Sequence, residues 1–186
     1  MTRACRSERY PGMGRHIDVI VSAACSGMGK TMLCCEIARR AAGAGLSCFC
    51  CKLSRGGHAP AGFSEGAGSE GSDTWRYVEA GASRALVAGY SDPSGLAGLV
   101  RGLPVTEDLA VWESNSAASV IEADCLVYIR SKDSGIISKN PELASGADIL
   151  LDGPLDATGA SIAADSVFDL VTSGRGRRSR REGRDA

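Results

Sequence analysis

The segment Ala24-Cys25-Ser26-Gly27-Met28-Gly29-Lys30-Thr31 constrains this chain more than any other. It follows Ile17 to Ala23, a short β-branched apolar run of the kind found in strands covered on both faces. It precedes KTMLCCEIARRAAGAG, where Leu33, Ile37 and Ala41 share one helical face and Glu36, Arg39 and Arg40 lie largely on another. Gly43 and Gly45 are positioned to stop that helix. A strand feeding a helix through a Gly-containing turn implies a crossover unit, and so an α/β fold.

The rest of the chain repeats the alternation. Leu46 to Leu53 reads as a second strand, and Asp73 as the N-cap of a helix DTWRYVEAGA. Arg84 to Ala88 is a third strand, Asp92 to Leu103 a helix opened by Asp92-Pro93, and Asp108 to Glu113 a fourth strand. A short turn or helix over Ala117 to Ile121 leads to a fifth strand, Asp124 to Ile129. Pro141 to Ala144 forms a brief helix, Ala147 to Leu151 a sixth strand, and Ser161 to Leu170 the closing helix. The Gly/Ser-rich stretch from Ser54 to Ser72 shows no periodicity and reads as a long loop, functional or disordered. The expected architecture is a mostly parallel sheet with helices on both faces, as in P-loop NTPases. Residues 1–15 read as a flexible lead-in, 16–172 as a nucleotide-binding domain and 173–186 as a disordered basic tail.

Composition narrows the function classes. The net charge of −1 hides six Arg against Glu182 and Asp185 in the last fourteen residues, a tail of +4 on a body of −5. An acidic body with a short basic tail argues against a dedicated nucleic-acid-binding domain. No apolar run is long enough to span a bilayer, and the N-terminus lacks the apolar stretch of a secretory signal. A cytoplasmic location with reduced thiols is the expectation. Of the eight cysteines, only Cys48 and Cys51 have C-x-x-C spacing, and they sit inside an apolar run. They read as small buried hydrophobes, with a metal or redox site as the alternative.

Ala24 to Thr31 fits the P-loop pattern, with Ala24 in place of the first glycine. Gly27 and Gly29 let the backbone curl so that N–H groups point at phosphate oxygens, and the helix adds its positive end. The expected phosphate-binding set is Ser26, Gly27, Met28, Gly29, Lys30, Thr31 and Met32. Lys30 would reach the β- and γ-phosphates, and the Thr31 hydroxyl would ligate Mg2+. Glu113 ends the fourth strand at the edge where open α/β sheets hold ligands. It is the second expected metal group, acting through water or orienting an attacking water, and with Lys30 it forms the catalytic pair. Asp108, at the start of that strand, belongs to the opposite edge. Ser114-Asn115-Ser116 offers polar groups to phosphate or substrate. Lys52 either pairs with an acid, binds a substrate phosphate or is an exposed structural lysine; His58 is a loop residue and His16 a structural one.

In order along the chain stand Ser26-Gly27-Met28-Gly29-Lys30-Thr31, Cys51-Lys52, a polar loop with His58, Ser72-Asp73-Thr74, Ala80-Gly81-Ala82 and a strand ending in Glu113. This order resembles the molybdopterin-guanine dinucleotide biosynthesis protein B family, from about Asp18 to Glu113. That family has Lys-His where this chain has Lys52-Leu53, and usually Gly and an aromatic residue where this chain has Ser114-Asn115-Ser116. The resemblance implies a nucleoside triphosphate-binding accessory protein with weak hydrolysis, working with Mg2+ and GTP or ATP. The partners implied are a cofactor-handling enzyme and, as a homodimer, a second copy of the chain. Ser131-Lys132-Asp133 and Ser138-Lys139-Asn140 are only faint echoes of a base-reading N-K-x-D motif. Two other readings stand beside it: an ATP-dependent small-molecule kinase or ligase that uses residues 54–72 as a lid, and a nucleotide sensor without useful turnover.

Overall fold

The structure, a computed structural model, describes residues 16–56, 62–133 and 135–173. The lead-in over 1–15, His58, Cys5 and nearly all of the basic tail lie outside the described residues. In chain order the elements are β1 (Ile17–Ala23), α1 (Lys30–Gly43), β2 (Cys48–Arg55), β3 (Gly62–Glu65), α2 (Asp73–Glu79), β4 (Arg84–Tyr90) and α3 (Pro93–Gly102). They continue with β5 (Leu109–Glu113), a 3-10 turn (Ala117–Ser119), β6 (Cys125–Ser131), α4 (Glu142–Gly146), β7 (Ile149–Gly153) and α5 (Ala157–Thr172). The strands form one sheet in the order β3-β4-β2-β5-β1-β6-β7. All neighbouring pairs are parallel except β3 with β4, which is antiparallel at one edge.

Every residue of β1 is buried, as its unbroken apolar run requires at the centre of a sheet covered on both sides. Its side chains divide by the period of two. Val19, Val21 and Ala23 join a core with Leu33, Ile37 and Ala41 of α1, Tyr77 of α2 and Ala163, Ala164 and Val167 of α5. Ile20 faces the other way, into a core with Phe49, Leu86, Leu96 of α3, Trp112 and Leu126. The Phe49 and Trp112 rings meet edge to face at 5.5 Å. Asp18 shares this face, where its carboxylate accepts Trp112 Nε1–H at 2.9 Å and pairs with His16 at 3.1 Å. His16 therefore has the structural role expected of it. Among the described residues no helix is long and apolar enough to cross a membrane.

Three sequence expectations need correction. The stretch 54–72 is not all loop: β2 runs on to Arg55, and Gly62–Glu65 pairs with β4, Gly62 opposite Gly89 and Glu65 opposite Leu86. An edge strand of four residues next to glycines is defined by its partner's backbone and shows no alternation of its own. The N-cap of α2 is Ser72, whose Oγ accepts the Trp75 N–H at 3.2 Å, while Asp73 is the first helical residue. The Asp73 carboxylate is drawn instead to the Lys52 ammonium. The closing helix begins at Ala157, four residues earlier than expected, because Asp156 caps it by accepting the Gly159 N–H at 2.7 Å.

Candidate functional site

Parallel strands of one sheet end on the same side, and three such ends assemble this site. Glu113 closes β5, with Val21 of β1 and Lys52 of β2 as its register partners on either side. The turn after β1 supplies the floor. Gly27 has φ 77° and Gly29 φ 91°, a left-handed backbone that curls the chain before α1 starts at Lys30. The first amides of α1 have no partner within the helix and face the cleft with its positive end. Three backbone hydrogen bonds hold the turn: Ala24 N–H to Ile129 at 2.8 Å, Lys139 N–H to Ala24 at 2.7 Å, and Leu155 N–H to Met28 at 3.2 Å. The Met28 side chain is buried in the core, so this residue offers the cleft only its backbone, and Met32 stands exposed on the first turn of α1.

Gly29 is required twice over. Its φ disfavours any L side chain, and a Cβ there would stand 2.9 Å from Leu155 Cβ and 3.2 Å from the Leu155 carbonyl oxygen. Gly29→Ala is expected to cost about 1–3 kcal/mol, the usual range for backbone held in a disfavoured region. Urea denaturation would read the loss as a lower midpoint, and an unchanged midpoint would contradict the left-handed turn.

The side chains converge on Glu113, which is 4% exposed. Its Oε2 accepts the Thr31 hydroxyl at 2.8 Å and the Tyr77 hydroxyl at 2.5 Å. Its Oε1 lies 3.3 Å from Lys52 Nζ, which also pairs with Asp73 Oδ2 at 2.5 Å. Of the three readings of Lys52, pairing with an acid is therefore what the structure shows. Burial works against the Lys52 ammonium, but Glu113 and Asp73 outweigh it and hold its pKa above the ordinary lysine value. Lys30 reaches back over the turn to the Cys25 carbonyl at 3.4 Å. Burial lowers its pKa, Glu113 partly restores it, and Lys52 lowers it further.

Ser114-Asn115-Ser116 is less free than expected. Asn115 Oδ1 accepts the Ala23 N–H at 3.0 Å and the Ser22 hydroxyl at 3.1 Å, fastening β5 to the end of β1. Ser114 Oγ caps the 3-10 turn by accepting the N–H groups of Ser116 and Ala117. Asp108 lies at the opposite edge, where its carboxylate holds Ser47 at 2.7 and 2.8 Å.

The turn from Ser26 to Met32, Lys52, Asp73 and the run Glu113 to Ser116 line a cleft of about 1010 Å³. Five cations, Lys30, Lys52, Arg55, Arg76 and Lys139, face two carboxylates, Asp73 and Glu113. A positive cleft in an acidic body suits a polyanion. Thr31 spends its proton on Glu113, which leaves the Oγ1 lone pairs free for a cation. One hydroxyl and one carboxylate fit Mg2+, which keeps several waters and shares its shell with substrate phosphates. Among the described residues no group of three or more His, Cys, Asp and Glu forms a metal cage.

No family model matches the chain, and no curated protein matches it significantly. The chemistry of the cleft therefore rests on its own residues. Two of its cations, Arg55 and Arg76, carry no motif of their own, and Tyr77, buried behind the cleft, joins the site only through Glu113. The spacing of Asp73 and Tyr77, four residues apart and so on one helical face, is the signal that joins Tyr77 to the site.

The described cysteines lie in the core or, for Cys25, against it. Seven are described and free, six of them buried. Cys48 and Cys50 sulfurs lie 3.8 Å apart on one face of β2. Burial pushes the Cys35 thiol up to about 11 and the Cys34 and Cys51 thiols well above their ordinary value, which makes them poor nucleophiles.

Proposed function

We propose that this chain binds a nucleoside triphosphate with Mg2+ through a P-loop at Ala24–Thr31 and hydrolyses it slowly. In this reading it is an accessory protein in molybdenum cofactor (molybdopterin guanine dinucleotide) biosynthesis or metalloenzyme maturation. The observation that carries the nucleotide reading is the Thr31–Glu113 hydrogen bond at the mouth of the curled turn. It brings a free hydroxyl oxygen and a carboxylate together at a helix N-terminus.

The turn amides and Lys30 would hold the phosphates, and Thr31 with Glu113 would hold the ion. An ion held there would supply neutralisation of phosphate charge and polarisation of the transferred group. Hydrolysis joins a water oxygen to the γ-phosphorus and breaks the bridging P–O bond, releasing a diphosphate and inorganic phosphate. Glu113, held on both oxygens, would orient that water. GTP and ATP are both candidates.

The pathway part of the proposal rests on the ordered resemblance from Ser26 to Glu113. Titration of the whole chain with fluorescent GTP and ATP, with and without Mg2+, is expected to give saturable binding that Mg2+ strengthens. No saturable binding would remove the nucleotide reading. A strain lacking the protein is expected to lose molybdenum-enzyme activity and cofactor content; full retention would remove the pathway alone.

One observation favours the second reading, an ATP-dependent small-molecule kinase or ligase. A recess of about 220 Å³, floored by Leu96 and Leu143, shares Arg55, Tyr90, Asn115 and Asn140 with the main cleft. It has room for a small acceptor beside the phosphates. A kinase would turn over little nucleotide until that acceptor is added.

A further inference from the structure

We propose that Tyr77 is a positioning residue that fixes the Glu113 carboxylate for the magnesium ion of the cleft. This rests on the nucleotide reading above. Three contacts hold the carboxylate: Thr31 and Tyr77 on Oε2 and Lys52 on Oε1. Two of them belong to groups that line the open cleft, Thr31 and Lys52, and a bound ion or phosphate would compete for both. Tyr77 is 0% exposed and packs in the core with residues of α1 and the sheet. Its hydroxyl is closed off from the cleft, so a bound ion or phosphate would not compete for it.

The helix that carries Tyr77 is itself tied to the site. Asp73, one turn earlier on the same face of α2, takes the Lys52 ammonium. Lys52 and Glu113 are register partners on β2 and β5, so one face of α2 engages both strand ends. A phenylalanine would fill the same core space, and the hydroxyl adds only the bond to Glu113.

The test is Tyr77→Phe in the whole chain at 10 °C. Fluorescent-nucleotide binding is followed across a Mg2+ titration and again in excess chelator, with single-turnover hydrolysis and a melting curve. The Mg2+ half-saturation is expected to rise about 10- to 100-fold, the usual effect of losing a partner that orients a metal ligand. Nucleotide affinity in chelator is expected to stay unchanged. On a Glu113→Gln background, Tyr77→Phe should add almost nothing, because its effect passes through the carboxylate. Unchanged Mg2+ half-saturation, or an equal further loss on the Gln background, would overturn the assignment. Loss of chelator-state affinity together with folding would show a purely structural hydroxyl and overturn it as well. If the unaltered protein binds no nucleotide, the nucleotide reading falls with it; if it binds and Tyr77→Phe changes nothing, only the Tyr77 assignment falls.

Discussion

Lys30→Ala is expected to weaken nucleoside triphosphate binding about 10- to 100-fold while leaving the fold intact. A charge-assisted hydrogen bond to a phosphate contributes about 1.5–3 kcal/mol, and every 1.4 kcal/mol is tenfold in affinity. Against that stands little structural loss. The ammonium makes one long contact, 3.4 Å to the Cys25 carbonyl, and burial already holds its pKa below the ordinary lysine value. Its charged form is thus disfavoured in the folded protein, and removing it relieves part of that cost. Calorimetric titration with ATP and GTP reads the first effect, and a melting curve within about 2 °C of the parent, less than about 1 kcal/mol for a chain of this size, reads the second. Unchanged affinity for both nucleotides would defeat the phosphate assignment.

Glu113→Gln is expected to reduce hydrolysis by about 100- to 1000-fold and nucleotide affinity far less, since its contact is with ion and water and not with the bulk of the ligand. The variant should also be less stable. Glutamine offers one oxygen for the Thr31 and Tyr77 hydroxyls, and its NH2 then faces Lys52 Nζ, donor against donor. A buried group left unpaired in this way costs about 1–3 kcal/mol. The pH dependence should move in a definite direction. Glu113 raises the Lys30 pKa, so neutralising it lets that pKa fall further. Nucleotide binding should therefore be lost at a lower alkaline pH than in the parent. Normal hydrolysis by the variant would remove Glu113 from the proposed chemistry.

What is legible in the sequence depends on whether each instruction is written locally or shared with a distant partner. β1 and the start of α1 appear where the sequence predicts them, Ile17 to Ala23 and Lys30, because the apolar run and the helical face are local patterns that burial then satisfies. Asp92-Pro93 opening α3 is equally local: the carboxylate accepts the Gly95 N–H at 2.9 Å within the same turn. Glu113 at the strand end that opens on the cleft and Asp108 at the opposite edge follow from strand direction alone.

Other features depend on partners distant in the chain. β3 exists because β4 offers an open edge, and Gly62–Glu65 carries no alternation to announce it. Ser72 displaces Asp73 as a cap because Lys52, 21 residues earlier, claims the aspartate. Asn115 lines the cleft, but its oxygen is taken by Ala23 and Ser22, which only the fold places against it.

The sequence by itself determined the α/β class, the left-handed glycines of the β1–α1 turn and the residue types at its mouth, since these follow from backbone sterics and short-range periodicity. Only the tertiary structure decided that Thr31, Lys52, Tyr77 and Glu113 form one connected group. The contacts that join them span from 36 to 82 residues, and contacts a few ångströms long between such positions exist only once the strand order is set.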